Sequence, residues 1–134
     1  MIQSLQSFGQ KMQHKQQNKI KGNWGEERAA ELLKRKGYRI IAMQWKSLRF
    51  EIDIIAEKGN EIIFVEVKTR TSEDYGQPWE AVKHDKRRKI CNSADQYIRM
   101  NQCDKEPRFD IISIVRTDDK TKITHLQSAF RPTL

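Results

Sequence analysis

Residues Glu51 to Lys68 read Glu-Ile-Asp-Ile-Ile-Ala-Glu-Lys-Gly-Asn-Glu-Ile-Ile-Phe-Val-Glu-Val-Lys. Two apolar runs, Ile52 to Ala56 and Ile62 to Val67, flank Lys58-Gly59-Asn60. Isoleucine, valine and phenylalanine suit a pleated surface, and a Gly-Asn pair between such runs signals a tight turn. The anomaly is that Asp53, Glu66 and Lys68 sit inside these runs. Burying a charge is costly unless it is paired or ligates a metal.

With Gly59 and Asn60 as the central turn residues, Lys58 faces Glu61, Asp53 faces Glu66, and Glu51 faces Lys68. Alternation then brings Glu51, Asp53, Glu66 and Lys68 to one side of the ribbon. Opposed strand residues have Cβ atoms about 4.5–5.5 Å apart, so the two acids repel unless something positive lies between them. Mg²⁺, a hard cation held by carboxylates and substrate phosphates, meets that need. A three-residue turn would slip the register by one and send the acids to opposite faces. The competing reading is a solvated face with cross-strand ion pairs; the apolar context and the Glu-x-Lys spacing favour the metal site.

The chain has 134 residues, enough for one domain with a modest core. Its formal net charge of +8 favours polyanionic partners, nucleic acid before acidic membrane surfaces. Cys91 and Cys103 match no zinc spacing and no disulfide framework. His14, His84 and His125 are scattered, and nothing suggests a Ser-His-Asp triad. No apolar run is long enough to span a membrane and no signal peptide is visible, so a reducing cytoplasm is expected.

Residues 1–21 read as a polar extension, mobile or loosely helical, and residues 22–134 as one domain. Asn23 is placed to cap a helix running to about Lys36, with Glu26 three residues on and Gly37 as the stop. Ala29, Ala30, Leu32 and Leu33 form its inward stripe, and Glu26 lies within it, so Glu26 is the acid that could reach the hairpin. Capping alone is the competing role for Glu26.

Tyr38 to Lys46 reads as the first strand and the hairpin supplies two more. A polar loop ends in Gly76-Gln77-Pro78, after which Trp79, Ala81 and Val82 pack the connection on the core. A second helix is expected from an Asp85 N-cap to Met100, with Ile90, Ala94, Tyr97 and Ile98 inward. Lys83, Lys86, Arg87, Arg88 and Lys89 cluster at its start as candidate phosphate contacts, with Arg70 beside them; a solvated basic face is the plain alternative. Arg108 to Val115 and Ile123 to Phe130 read as the last two strands. Asp110 is either a further acid supporting the site or the partner of Arg108 on an edge strand. The class is α/β: helix, three strands, helix, two strands, in a mixed sheet flanked by helices.

An acid on the first helix, Asp53 in the second strand and Glu66-x-Lys68 in the third together resemble the PD-(D/E)xK nuclease pattern of the restriction-endonuclease-like core. Within it the chain is similar to the uncharacterised bacterial YraN family, whose fold is related to archaeal Holliday-junction resolvases. The residues that carry this run from Gly25-Glu26, Ala29 and Leu33 through Gly37-Tyr38, Glu51-Ile52-Asp53-Ile54-Ile55 and Phe64-Val65-Glu66-Val67-Lys68-Thr69-Arg70. They continue with Val82, Lys86, Arg108-Phe109-Asp110 and Ala129-Phe130. One departure is Phe50, where the family usually has glycine.

The resemblance implies that Asp53, Glu66 and Glu26 hold Mg²⁺ or Mn²⁺, with the Val67 carbonyl as a further ligand. Lys68 would position the attacking water, and Glu51 would partner Lys68 or support the ligands from behind. The implied activity is metal-dependent phosphodiester hydrolysis, on DNA rather than RNA, in structured or branched form, with a homodimer where both strands are cut. A nucleic-acid-binding module that does not cut and a protein-interaction adaptor are the alternatives.

Overall fold

The turn at Gly59-Asn60 forms. In the computed structural model, which describes residues 24–71 and 83–132, Gly59 takes φ +58. That value at the first central position suits a type II′ hairpin and favours glycine. The turn joins β2 (Phe50–Lys58) to β3 (Glu61–Thr71) with Lys58 opposite Glu61, the register expected. The extension over residues 1–21, the Asn23 cap, the Gly76-Gln77-Pro78 turn and the packing of Trp79, Ala81 and Val82 lie outside the described residues.

Five strands form one sheet in sequence order: β1 (Arg39–Ser47), β2, β3, β4 (Glu106–Arg116) and β5 (Thr121–Phe130). Every neighbouring pair is antiparallel except β3 and β4, which are parallel. A parallel neighbour requires a crossover, and helix α2 (His84–Asn101) lies in it. Helix α1 covers residues 24–35. The mixed sheet with two helices is compatible with the restriction-endonuclease-like core.

Each helix covers one sheet face. Ala29, Ala30 and Leu33 of α1 pack on Ile54, Ala56, Ile63, Val65, Ile112 and Ile114. Ile90 and Ala94 of α2 pack on Ile55, Phe64, Phe109, Ile111 and Phe130. Strands covered on both faces read as unbroken apolar runs, and Ile62-Ile63-Phe64-Val65 is buried throughout. Phe64 touches both Tyr97 and Phe109 with its ring; removing it would cost about 3–5 kcal/mol.

Gly37 ends α1 at φ +89. Tyr38 N–H donates to the Leu33 carbonyl at 2.9 Å and Gly37 N–H to Lys34 at 3.0 Å, the paired bonds of a Schellman stop. Two expectations need correction. Helix α2 is capped at Lys83, with no side-chain bond, and Asp85 stands inside its first turn. Strand β4 is not an edge; it lies between β3 and β5, and Asp110 is 0 % exposed.

Candidate metal centre

The hairpin ladder runs from the turn to Ile54 opposite Val65, where the pairing stops. Asp53 and Glu66 come next. Asp53 Oδ2 accepts the Val67 N–H at 2.9 Å, so a side chain takes over where ladder bonds leave off. On the other flank Gln44 takes φ +50, between the pairs Met43–Ile54 and Trp45–Ile52. The strand turns over at this point. Ile54 belongs to the α1 core, whereas Ile52, two residues away, belongs to the α2 core. Such irregularities re-aim side chains and recur beside functional sites. Here the effect is to aim Asp53 between the two layers.

Glu66 is 6 % exposed and projects from β3 beside Asp53. Burial, and next the Asp53 charge, raise its pKa to about 8, against the pull of Lys86 and Lys68. From the other layer, α1 brings Glu26, whose pKa is also raised by burial and then by Asp53, and lowered by a hydrogen bond to Gln44. Glu26 Oε2 is buried without a hydrogen-bond partner. Gly25 lets the helix come this close to β3, because a Cβ there would collide with the Thr69 hydroxyl.

Asp53 thus stands between Glu26 and Glu66, with Lys68 and Lys86 near Glu66. Lys86 Nζ is 3.7 Å from Glu66 Oε1. The donors suit a hard divalent ion: three carboxylates, two with raised pKa and one with an unsatisfied buried oxygen. Among the described residues, no three acids, histidines or cysteines already close into one cage. The Asp53 charge acts on both Glu26 and Glu66.

The remaining sequence-predicted residues separate. Glu51 and Lys68 lie beyond the end of the hairpin ladder and are not paired in it; the paired neighbour of Glu51 is Lys46 on β1. Its N–H donates to Ser93 Oγ of α2 at 3.3 Å. With Glu26, Gln44, Lys46 and Asp53 it lines a cleft of about 430 Å³. Asp110 lies away from the acids, in a cluster of its own. Arg108 grips both its oxygens at 2.9 and 2.8 Å, His125 Nε2 lies 2.7 Å away, and Ser128 N–H donates at 3.0 Å. Burial alone would raise the Asp110 pKa, but these bonds outweigh it and hold the carboxyl below its usual value.

The basic run also divides. Lys86 and Lys89 line one recess, while Arg87 and Arg88 line another with Phe130. Lys83 is exposed at the helix cap, and Arg70 is half-buried on β3. Gln44 and Lys46 carry no mark in the sequence: a left-handed glutamine looks like any other strand residue. Cys91 and Cys103 are free thiols. No helix among the described residues is long and apolar enough to cross a membrane.

The profile of the Uncharacterised protein family UPF0102 matches residues 25–114, which span Glu26, Asp53, Glu66 and Lys68. The chain belongs to this family. Among its relatives, a UPF0102 protein of Flavobacterium psychrophilum is 41% identical over 109 residues, 81% of this chain and 92% of the relative. One of Porphyromonas gingivalis is 45% identical over 112 residues, 82% and 83% of the two chains. One of Bacteroides fragilis is 39% identical over 118 residues, 88% and 98% of the two chains. UPF0102 is the YraN family that the motif residues resemble, and the match carries no reaction with it.

Proposed function

We propose that this UPF0102 chain is a divalent-metal-dependent nuclease acting on DNA, in structured or branched form. The observation that carries the reading is Asp53, fixed by the Val67 N–H between two carboxyls of raised pKa, buried Glu66 and half-buried Glu26. Charge repulsion kept in a folded interior marks a site arranged for a cation. Asp53, Glu66 and Glu26 would hold Mg²⁺ or Mn²⁺, joined by the Val67 carbonyl. The ion supplies positive charge at the scissile phosphate and acidifies a nearby water.

Lys68 orients that water for attack on phosphorus, while the bond to the leaving oxygen breaks and the oxygen gains a proton. Lys86, already beside Glu66, offsets phosphate charge. Hydrolysis on one chain nicks one strand, and cutting both calls for a homodimer. A reducing cytoplasm is the setting that these free thiols suit.

A nucleic-acid-binding module that does not cut is the second reading, favoured by the acids not closing into one cage among the described residues. Labelled single-stranded, duplex, flapped and four-way-junction DNA, with RNA alongside, separates the two. Wild type in Mg²⁺ or Mn²⁺ should cut at least one substrate. EDTA and Asp53→Ala should each abolish cutting. Salt-sensitive binding without cutting under every condition would leave only the binding module.

A further inference from the structure

A second recess, of about 370 Å³, adjoins the acid cleft. Its walls are Arg49 and Phe50 from the start of β2, and Lys86, Lys89, Asn92 and Ser93 from α2. Glu51 lines both the recess and the cleft, and Lys86 of the recess wall lies 3.7 Å from Glu66, so the two spaces are neighbours. Phe50 is half-buried yet belongs to neither core cluster. The Arg49 guanidinium stands 5.1 Å over its ring. Among the described residues neither Arg49 nor Lys89 has a carboxylate partner. The recess thus sets three cations and an aromatic face against one acid, Glu51. Ser93 holds the wall in place: its hydroxyl donates to the Lys89 carbonyl at 2.9 Å and accepts the Glu51 N–H.

We propose that this recess takes one unpaired nucleotide of a DNA strand, its base on Phe50 and its phosphate between Arg49, Lys86 and Lys89. A planar base stacks on an aromatic face whatever its sequence, and an arginine over the same ring adds cation–π attraction. Asn92 offers an amide to a base edge. The volume lies within the roughly 300–1,000 Å³ of small-molecule sites, and a duplex does not fit inside it. The inference rests on the nuclease reading in one respect, that the strand continues to the acids. It makes the substrate a strand with an unpaired base beside the bond that is cut.

The test is binding by the full chain in EDTA, where nothing is cut, read by fluorescence anisotropy. The probes are a labelled single strand, the same strand with one abasic site moved along it, a blunt duplex, and free dAMP as competitor. Wild type should bind the intact single strand at least about tenfold tighter than the best-placed abasic strand or the duplex. Phe50→Ala should erase that difference and Phe50→Trp should keep it. Arg49→Gln and Lys89→Gln should each lower the salt slope by about one. Equal affinity for intact and abasic strands, or a Phe50→Trp protein that folds and loses the preference, overturns the proposal. Competition by dAMP as strong as the whole strand also overturns it, in favour of a free-nucleotide site. Base preference in a protein that never cuts overturns the nuclease reading and leaves the recess standing.

Discussion

Two carboxylate clusters, one fully buried and one half-buried, share one sheet and differ in what surrounds them. Asp110 on β4 is 0 % exposed and fully satisfied, by Arg108, His125 and the Ser128 N–H. Asp53 on β2 has one backbone donor and two acids for neighbours. Both lie beside a left-handed residue, Ser128 at φ +49 where the β4–β5 register shifts, and Gln44 at φ +50 where the β1–β2 register continues unshifted. At Ser128 the left-handed residue delivers a donor and closes the cluster; at Gln44 it leaves the carboxylates repelling one another. The same structural device serves stability in one place and concentrates negative charge in the other. A buried acid marks function only when its partners have been counted.

The largest effects break the two clusters in opposite ways. Asp53→Ala should reduce cutting to the EDTA background while the melting temperature holds or rises, since a source of repulsion is gone. Asp110→Ala should cost roughly 3–5 kcal/mol in denaturant unfolding, because Arg108 and His125 are left buried without their partner. If Asp53→Ala unfolds as readily as Asp110→Ala, both clusters are structural.

Metal sharpens the contrast. Mn²⁺ at a hundred times its dissociation constant should stabilise wild type by about 2.7 kcal/mol. It should not stabilise Asp53→Ala, and it should still stabilise Ser128→Gly. Thermal melts with and without Mn²⁺ read this directly.

The clusters should also titrate with opposite sign. Glu66 has a folded pKa of about 8 against an ordinary 4.5. Its contribution is full below 4.5 and is lost as pH rises to about 8. Asp110 is held below its ordinary 3.8, so its contribution is present above that value and is lost as pH falls below it. Metal-free protein should therefore lose stability on both sides of a maximum on the acid side of neutral. Glu66→Gln should flatten the alkaline limb and leave the acid limb, as chemical denaturation across pH would show.

The smallest effect concerns the left-handed residues themselves. Ser128→Gly relieves a left-handed residue and keeps the N–H that Asp110 uses, so it should stabilise by about 0.5–1 kcal/mol. Gln44→Gly relieves the same strain but removes the hydrogen bond to Glu26, and should push the Glu26 pKa further up. Carboxyl titration followed by NMR distinguishes the two.

What is legible in the sequence follows from this difference. The Gly59-Asn60 turn sets the register, and the register read forward from it leads to Asp53 and Glu66 just past the last paired residues. Helical periodicity places Glu26 on the inner stripe of α1. The turn-over at Gln44 is hidden, because nothing marks a left-handed glutamine, and so is the end of the hairpin ladder ahead of Glu51 and Lys68. The sequence suggests an edge position for Asp110 because β5 supplies its partners from 15 and 18 residues away. The basic run reads as one surface; a helix distributes consecutive residues around its axis, and the structure sends Lys86 and Arg87 to different recesses.

The most direct test of the central claim is Mn²⁺ titration of wild type and Asp53→Asn by calorimetry at a pH above about 8, where Glu66 is ionised. One saturable ion per chain in wild type and none in Asp53→Asn is the result that the charge gathered around Asp53 predicts. No saturable binding in wild type, or equal binding in the two proteins, would contradict it and return these acids to a structural role.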